Sequence, residues 1–122
     1  MQPLTAKEIK RLCKFVFAIA EKAGLSISPS YNVVFVSSKE LKELLKKRST
    51  IEVEEGVYID PKGLVIVRDD FLANVAIRKV MVGVLSLAVI ESFGSINKEL
   101  VDILVNEHYD RILANLYSYS LE

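Results

Sequence analysis

One cysteine, one histidine and no tryptophan leave a chain of 122 residues short of the side chains that most often carry chemistry. Cys13 has no second thiol to join, which excludes an internally disulfide-held secreted scaffold and points to a reducing, cytoplasmic setting in which Cys13 serves packing. Catalytic zinc takes about three protein ligands around an open position, more than His108 and Cys13 supply, so no metal and no cofactor is expected. The five glycines, Gly24, Gly56, Gly63, Gly83 and Gly94, stand apart, so there is no phosphate-cradling loop and nucleotide binding is not indicated. Serine catalysis would have His108 as its sole base and no G-x-S-x-G elbow. The opening "MQPLTAKEIKRLCK" enters a charged helical pattern without the apolar core of a signal peptide, so secretion is not expected.

Long apolar runs are also scarce. The exception is Val80 to Ile90, interrupted only by Gly83 and Ser86 and bounded by Arg78, Lys79 and Glu91. A membrane span needs about 20 apolar residues, so no membrane is expected. A helix apolar all round belongs instead in the middle of a domain or between subunits, with Gly83 and Ser86 as positions where another element or subunit approaches closely. A single Gln, Gln2, beside abundant Lys, Glu, Val and Ile and 51% hydrophobic residues gives a thermophile-like composition. The length suits one domain over residues 1–122. Net charge is zero, yet residues 1–48 hold ten Lys or Arg against four acids and residues 49–122 six against twelve. The two halves are expected to neutralise each other within the fold or across a dimer, or to present a basic surface to an acidic partner.

Along the chain, "TAKE" forms a capping box in which Thr5 and Glu8 satisfy each other's amides, and Ile9, Leu12, Cys13, Val16, Ile19, Ala20 and Ala23 recur at helical spacing as far as Gly24. "YNVVFVS" is β-branched and apolar on both faces, which predicts a strand central in a sheet. Ser37 and Glu40 make a second capping box for a helix from about Lys39 to Arg48. "IEVEEGVYI" and "GLVIVR" flank the turn "DPKG", with Pro61 and Gly63 at the positions such a turn favours, and predict a hairpin of two antiparallel strands. Asp69 or Asp70 is expected to cap a long helix ending at Phe93 and Gly94. Ser95 or Asn97 opens the last helix, in which Leu100, Leu104, His108, Ile112 and Leu116 repeat every four residues. The expected fold is α+β: one domain with a small, mostly antiparallel sheet of three or four strands, packed by about four helices in the order α-β-α-β-β-α-α.

A strand and helix followed by a hairpin whose second strand runs into a long central helix resembles the small zincin-type metalloprotease fold. The stretch that carries the resemblance is "EEGVYIDPKGLVIVRDD", within residues 31 to 94. In that family a similar hairpin ends in an edge strand lining the cleft, and the next helix carries HExxH. Here the helix from Asp70 to Phe93 contains no His, so the resemblance implies a degenerate domain whose catalytic face is given over to Val, Leu and Gly.

Three groups of residues remain as candidates. Glu107, His108 and Asp110 form a polar cluster for a metal ligand or general base, but near neighbours on a helix point to different faces, and Glu107 and Arg111 have the spacing of a surface ion pair. Glu52, Glu54, Glu55, Asp60, Asp69 and Asp70 offer oxygen ligands for a hard cation or a restriction-type nuclease, yet "VIVRDD" puts Arg68 where the Lys and Ile66 where the acid should stand. Lys7, Lys10, Arg11 and Lys14 fall at helical spacing, as do Lys39, Lys42, Lys46 and Lys47, and either stripe suits phosphates, although no aromatic residue interleaves with them. The reading that follows is a non-catalytic intracellular protein, a homo-oligomer or a binder of another macromolecule. A nucleic-acid-binding module is the alternative, and a hydrolase or nuclease with an unrecognised site comes third.

Overall fold

The computed structural model describes residues 2–120, with side chains as far as Tyr117. Both capping boxes form: Thr5 Oγ1 accepts from the Glu8 amide and Glu8 Oε1 from the Thr5 amide, starting α1 (Ala6–Lys22), and Ser37 and Glu40 do the same for α2 (Ser38–Lys47). Each box satisfies two of the amides that a helix start leaves unpaired. Between them lies β1 (Asn32–Val36). The remaining elements among the described residues are β2 (Ile51–Glu54), β3 (Val57–Asp60), β4 (Leu64–Arg68), α3 (Ala73–Phe93) and α4 (Lys98–Ser120). The α+β class and the four helices match the expectation.

Two strand assignments differ from it. "IEVEEGVYI" is not one strand but two, β2 and β3, because Gly56 takes a left-handed φ of +78° and reverses the chain. The sheet therefore has four strands in the order β1-β4-β3-β2, antiparallel except that β1 runs parallel to β4, with Asn32 opposite Leu64 and Val36 opposite Arg68. The second correction concerns β1, which is not central: it is an edge strand. The "DPKG" turn does form, with the Gly63 amide donating to the Asp60 carbonyl at 2.9 Å.

Layers of helix cover both faces of the sheet. On one face α2 packs Leu41 against Val36 and Ile66, with Val34, Leu44, Leu45, Tyr58 and Leu64 around them. On the other, α3 lies across β2, β3 and β4, with α1 and α4 packed against it. Val80 to Val89 are buried throughout, since the sheet takes one side of α3 and two helices take the others. At 21 residues α3 is longer than its apolar run and has the length and composition of a span, but 67% of its most apolar window is buried inside the domain. Gly83 is where β4 approaches: a Cβ there would overlap Val65 Cγ1. The close neighbour at Gly83 is thus the sheet, and Ser86, a turn away, is buried in the same helix.

The cap of α3 also differs. Its first flanking residue is Leu72, with no side-chain cap, while Asp70 accepts from Arg68 Nε at 2.6 Å. The two aspartates fall too early because Phe71 must first cross over Gly56, its ring filling the space where a side chain there would go. Asn97 opens α4 as expected, accepting from the Leu100 amide at 3.1 Å.

Candidate functional site

The charged candidates are separated by the fold. The stripe on α1 and the stripe on α2 lie over opposite faces of the sheet and make no common surface. Around α1, Lys7, Lys10, Arg11 and Lys14 line one shallow depression, with the half-buried Phe15 among them. An aromatic residue therefore does accompany these cations, where none was expected, because one helix turn brings Phe15 beside Arg11. Lys39, Lys42, Lys46 and Lys47 are exposed along α2, where Lys46 sits 3.7 Å from Glu43.

Asp60, Glu54, Glu55 and Asp70 among the acidic candidates are tied to cations. Asp60 is 4% exposed and accepts from Arg48 Nη1 at 2.9 Å and from the Lys62 amide at 3.0 Å, and these donors hold its carboxyl below the usual carboxylate range. Glu54 meets Lys79 at 2.7 Å, and Arg68 lies between Glu55 and Asp70. The Phe71 ring stands between Arg68 and Lys79, 4.9 and 5.0 Å from its centroid. Among the described residues no group of three His, Cys, Asp or Glu side chains is placed to hold a metal ion.

On α4 the polar cluster does not converge. His108 is half-buried and its Nδ1 lies against the Arg111 guanidinium, three residues further along the same helix. Arg111 thus turns to His108, while Glu107 and Asp110 are exposed. Cys13 is half-buried on α1. Burial pushes its thiol up, and the neighbouring Tyr31 hydroxyl, which donates to the Cys13 carbonyl at 3.2 Å, is pushed up by burial and by Cys13 itself. A thiol held protonated is a poor nucleophile, so this pair holds α1 to the start of β1.

The feature that sequence reasoning missed is the outer edge of β1. The Asn32 amide donates to the Gly63 carbonyl and the Val36 carbonyl accepts from the Asp69 amide, both at 2.8 Å. The alternation of a strand then turns Asn32, Val34 and Val36 towards β4 and points the N–H and C=O groups of Val33 and Phe35 outwards. No described strand pairs with them. Beside this edge run two adjoining grooves, of about 510 and 470 Å³, which share Ala6, Ile9 and Val33. The first adds Cys13, Phe17 and Tyr31, and the second continues along Val34 to Val36 and reaches Glu40. Together they form a trough between β1 and the side of α1 that carries Ala6, Ile9, Cys13 and Phe17, with Lys10 and Lys14 at one end and Gln2 and Glu40 in its other part.

Compared with models of protein families, with curated proteins and with solved structures, the chain matches none.

Proposed function

We propose that this chain is a non-catalytic intracellular protein that acts by self-association, with the trough along β1 as its working surface, and that it is a degenerate relative of the zincin-like domains its element order resembles. The observation that carries the reading is the bare edge. Soluble proteins blunt an edge strand with charges, proline, a bulge or a cover, because unpaired N–H and C=O groups recruit other strands. β1, with the sequence Asn-Val-Val-Phe-Val, carries no charge, no proline and no bulge, and no described strand covers its outer edge, which opens into the trough beside α1. An unguarded edge of this kind is retained where a partner covers it.

The second reading, nucleic-acid binding, is favoured by the depression in which Lys7, Lys10, Arg11 and Lys14 surround Phe15, a cationic surface with one aromatic face. Sedimentation of the full chain from low to high micromolar concentration, with and without duplex DNA and structured RNA, separates the two. Self-association gives a reversible species of at least twice the 13.7 kDa chain mass with or without nucleic acid. A monomer throughout overturns the first reading, and a monomer that co-sediments with DNA or RNA replaces it with the second.

A further inference from the structure

We infer that the occupant of the trough is β1 of a second copy, running antiparallel across a two-fold axis at Val34, so that two four-stranded sheets join into one of eight strands. This rests on the self-association reading and goes beyond it by naming the contact.

The register follows from which groups are free. Val33 and Phe35 are the β1 residues whose N–H and C=O groups point outwards, and they lie symmetrically about Val34. An antiparallel partner with Val34 opposite its own copy places Val33 opposite Phe35 of the partner subunit and Phe35 opposite Val33 of the partner subunit. Both are pairs that exchange two hydrogen bonds, so the free groups of Val33 and Phe35 are satisfied by the same groups of the second chain. The cross-strand pairs are β-branched against aromatic and valine against valine, combinations that favour pairing. Because the contact is self-complementary, it closes as a dimer and does not propagate.

Charge selects this arrangement over the alternatives. Lys10 and Lys14 lie at the end of the trough beside Asn32 and Val33, and Glu40 lies at the end beside Val36. Antiparallel pairing brings the lysine end of each trough to the glutamate end of the other, twice over; parallel pairing sets like ends together. The opposite edge, β2, is a poor occupant. Its register shifts between Glu52 and Glu54, and the Glu54 carboxylate is committed to Lys79. A bulge with charges is how an edge strand is kept from pairing.

Cysteine cross-linking tests the register directly. In a Cys13→Ala background, Val34→Cys places two thiols at a non-hydrogen-bonded pair, where Cα atoms stand about 4.5 Å apart, inside the roughly 4.4 to 6.8 Å that a disulfide spans. Asn32→Cys places them about 14 Å apart, since four residues of strand at about 3.4 Å each separate the two copies. The expected result is a dimer by sedimentation that a mild oxidant links nearly completely through position 34 and scarcely at all through position 32. Hydrogen exchange of the unaltered chain gives an independent reading: the Val33 and Phe35 amides should be protected at dimer concentrations and lose that protection on dilution. A dimer with no linkage at 34, equal linkage at both positions, or unprotected Val33 and Phe35 amides overturns the inference and leaves self-association standing. A monomer at every concentration overturns both.

Discussion

Arg48 Nη1 donates to Asp60 Oδ2 at 2.9 Å, tying the residue that ends α2 to the last residue of β3. The carboxylate is nearly buried while the guanidinium keeps partial contact with water, so removing the acceptor's charge costs more than an ordinary surface pair would. Asp60→Asn sets an amide N–H towards the guanidinium or gives up the Lys62 contact, and should cost about 1 to 3 kcal/mol in urea unfolding. A carboxyl depressed in the folded state contributes stability that is complete above its unfolded value, about 3.9, and is lost as pH falls through the folded one. Acidification below that range should therefore destabilise the unaltered protein more than Asp60→Asn. Parallel acid limbs would mean that the pair contributes no pH dependence.

Gly83 faces Val65 with no room for a methyl group between them. Gly83→Ala should lower stability by about 1 to 3 kcal/mol despite alanine's better helix propensity, because Val65 lies in a buried strand and has little space to give. Gly83→Leu should fail to fold. Val65→Ala placed in the Gly83→Ala chain should recover part of the loss, an interaction energy read from a double-mutant cycle of melting curves. A Gly83→Ala protein at least as stable as the original would show that the helix can shift.

Gly56 and Phe71 form a second such contact, of a different kind. A Cβ at Gly56 would lie 2.5 Å from Phe71 Cζ, and its φ of +78° is costly for any residue with a side chain. Gly56→Ala should therefore cost about 1 to 2 kcal/mol from the backbone alone, plus a steric part. In a Phe71→Leu background the steric part should vanish and the backbone part remain. Identical costs in both backgrounds would show that the ring moves aside freely.

The α1 cations separate the two functional readings. Replacing Lys7, Lys10, Arg11 and Lys14 by Gln should weaken self-association at low salt, through Lys10 and Lys14, with no salt-dependent nucleic-acid binding to lose. If the depression instead meets phosphates, the unaltered chain will bind duplexes of any sequence, and the slope of log affinity against log salt will fall by about one for each contact removed. Titration of a labelled duplex at several salt concentrations distinguishes these outcomes.

What was readable in the sequence, and what was not, divides along physical lines. Capping boxes are local, so Thr5 with Glu8 and Ser37 with Glu40 were legible from spacing alone. The apolarity of the run from Val80 reported its burial as far as Val89, with Ile90 partly buried at its end. "YNVVFV" misled because apolar side chains report whether the two faces of a strand are covered, not whether its hydrogen-bonding edge is. Both faces of β1 are indeed packed, by α2 and by the α3 layer, while its outer edge is bare. Gly56 had a readable signal in "EEGV", a glycine between charged and apolar residues, but periodicity does not say that a chain turns back there. Asp69 and Asp70 fitted a cap by residue type; that Phe71 had to pass over Gly56 first is a long-range fact.

The parallel pairing of β1 with β4 also sets an order of events at the ribosome. Synthesis runs from the N-terminus, so Val33 to Val36 emerge well before Leu64 to Arg68 exist to pair with them. The hairpins among β2, β3 and β4 close within a short stretch of chain, whereas the first strand made is the last to find its neighbour. Until then an apolar strand is exposed on both edges, and on a polysome the nearest similar strand belongs to the next nascent chain. Refolding yield should accordingly fall with protein concentration, and a charge at Val34, which faces α2, should trade native stability for a higher yield.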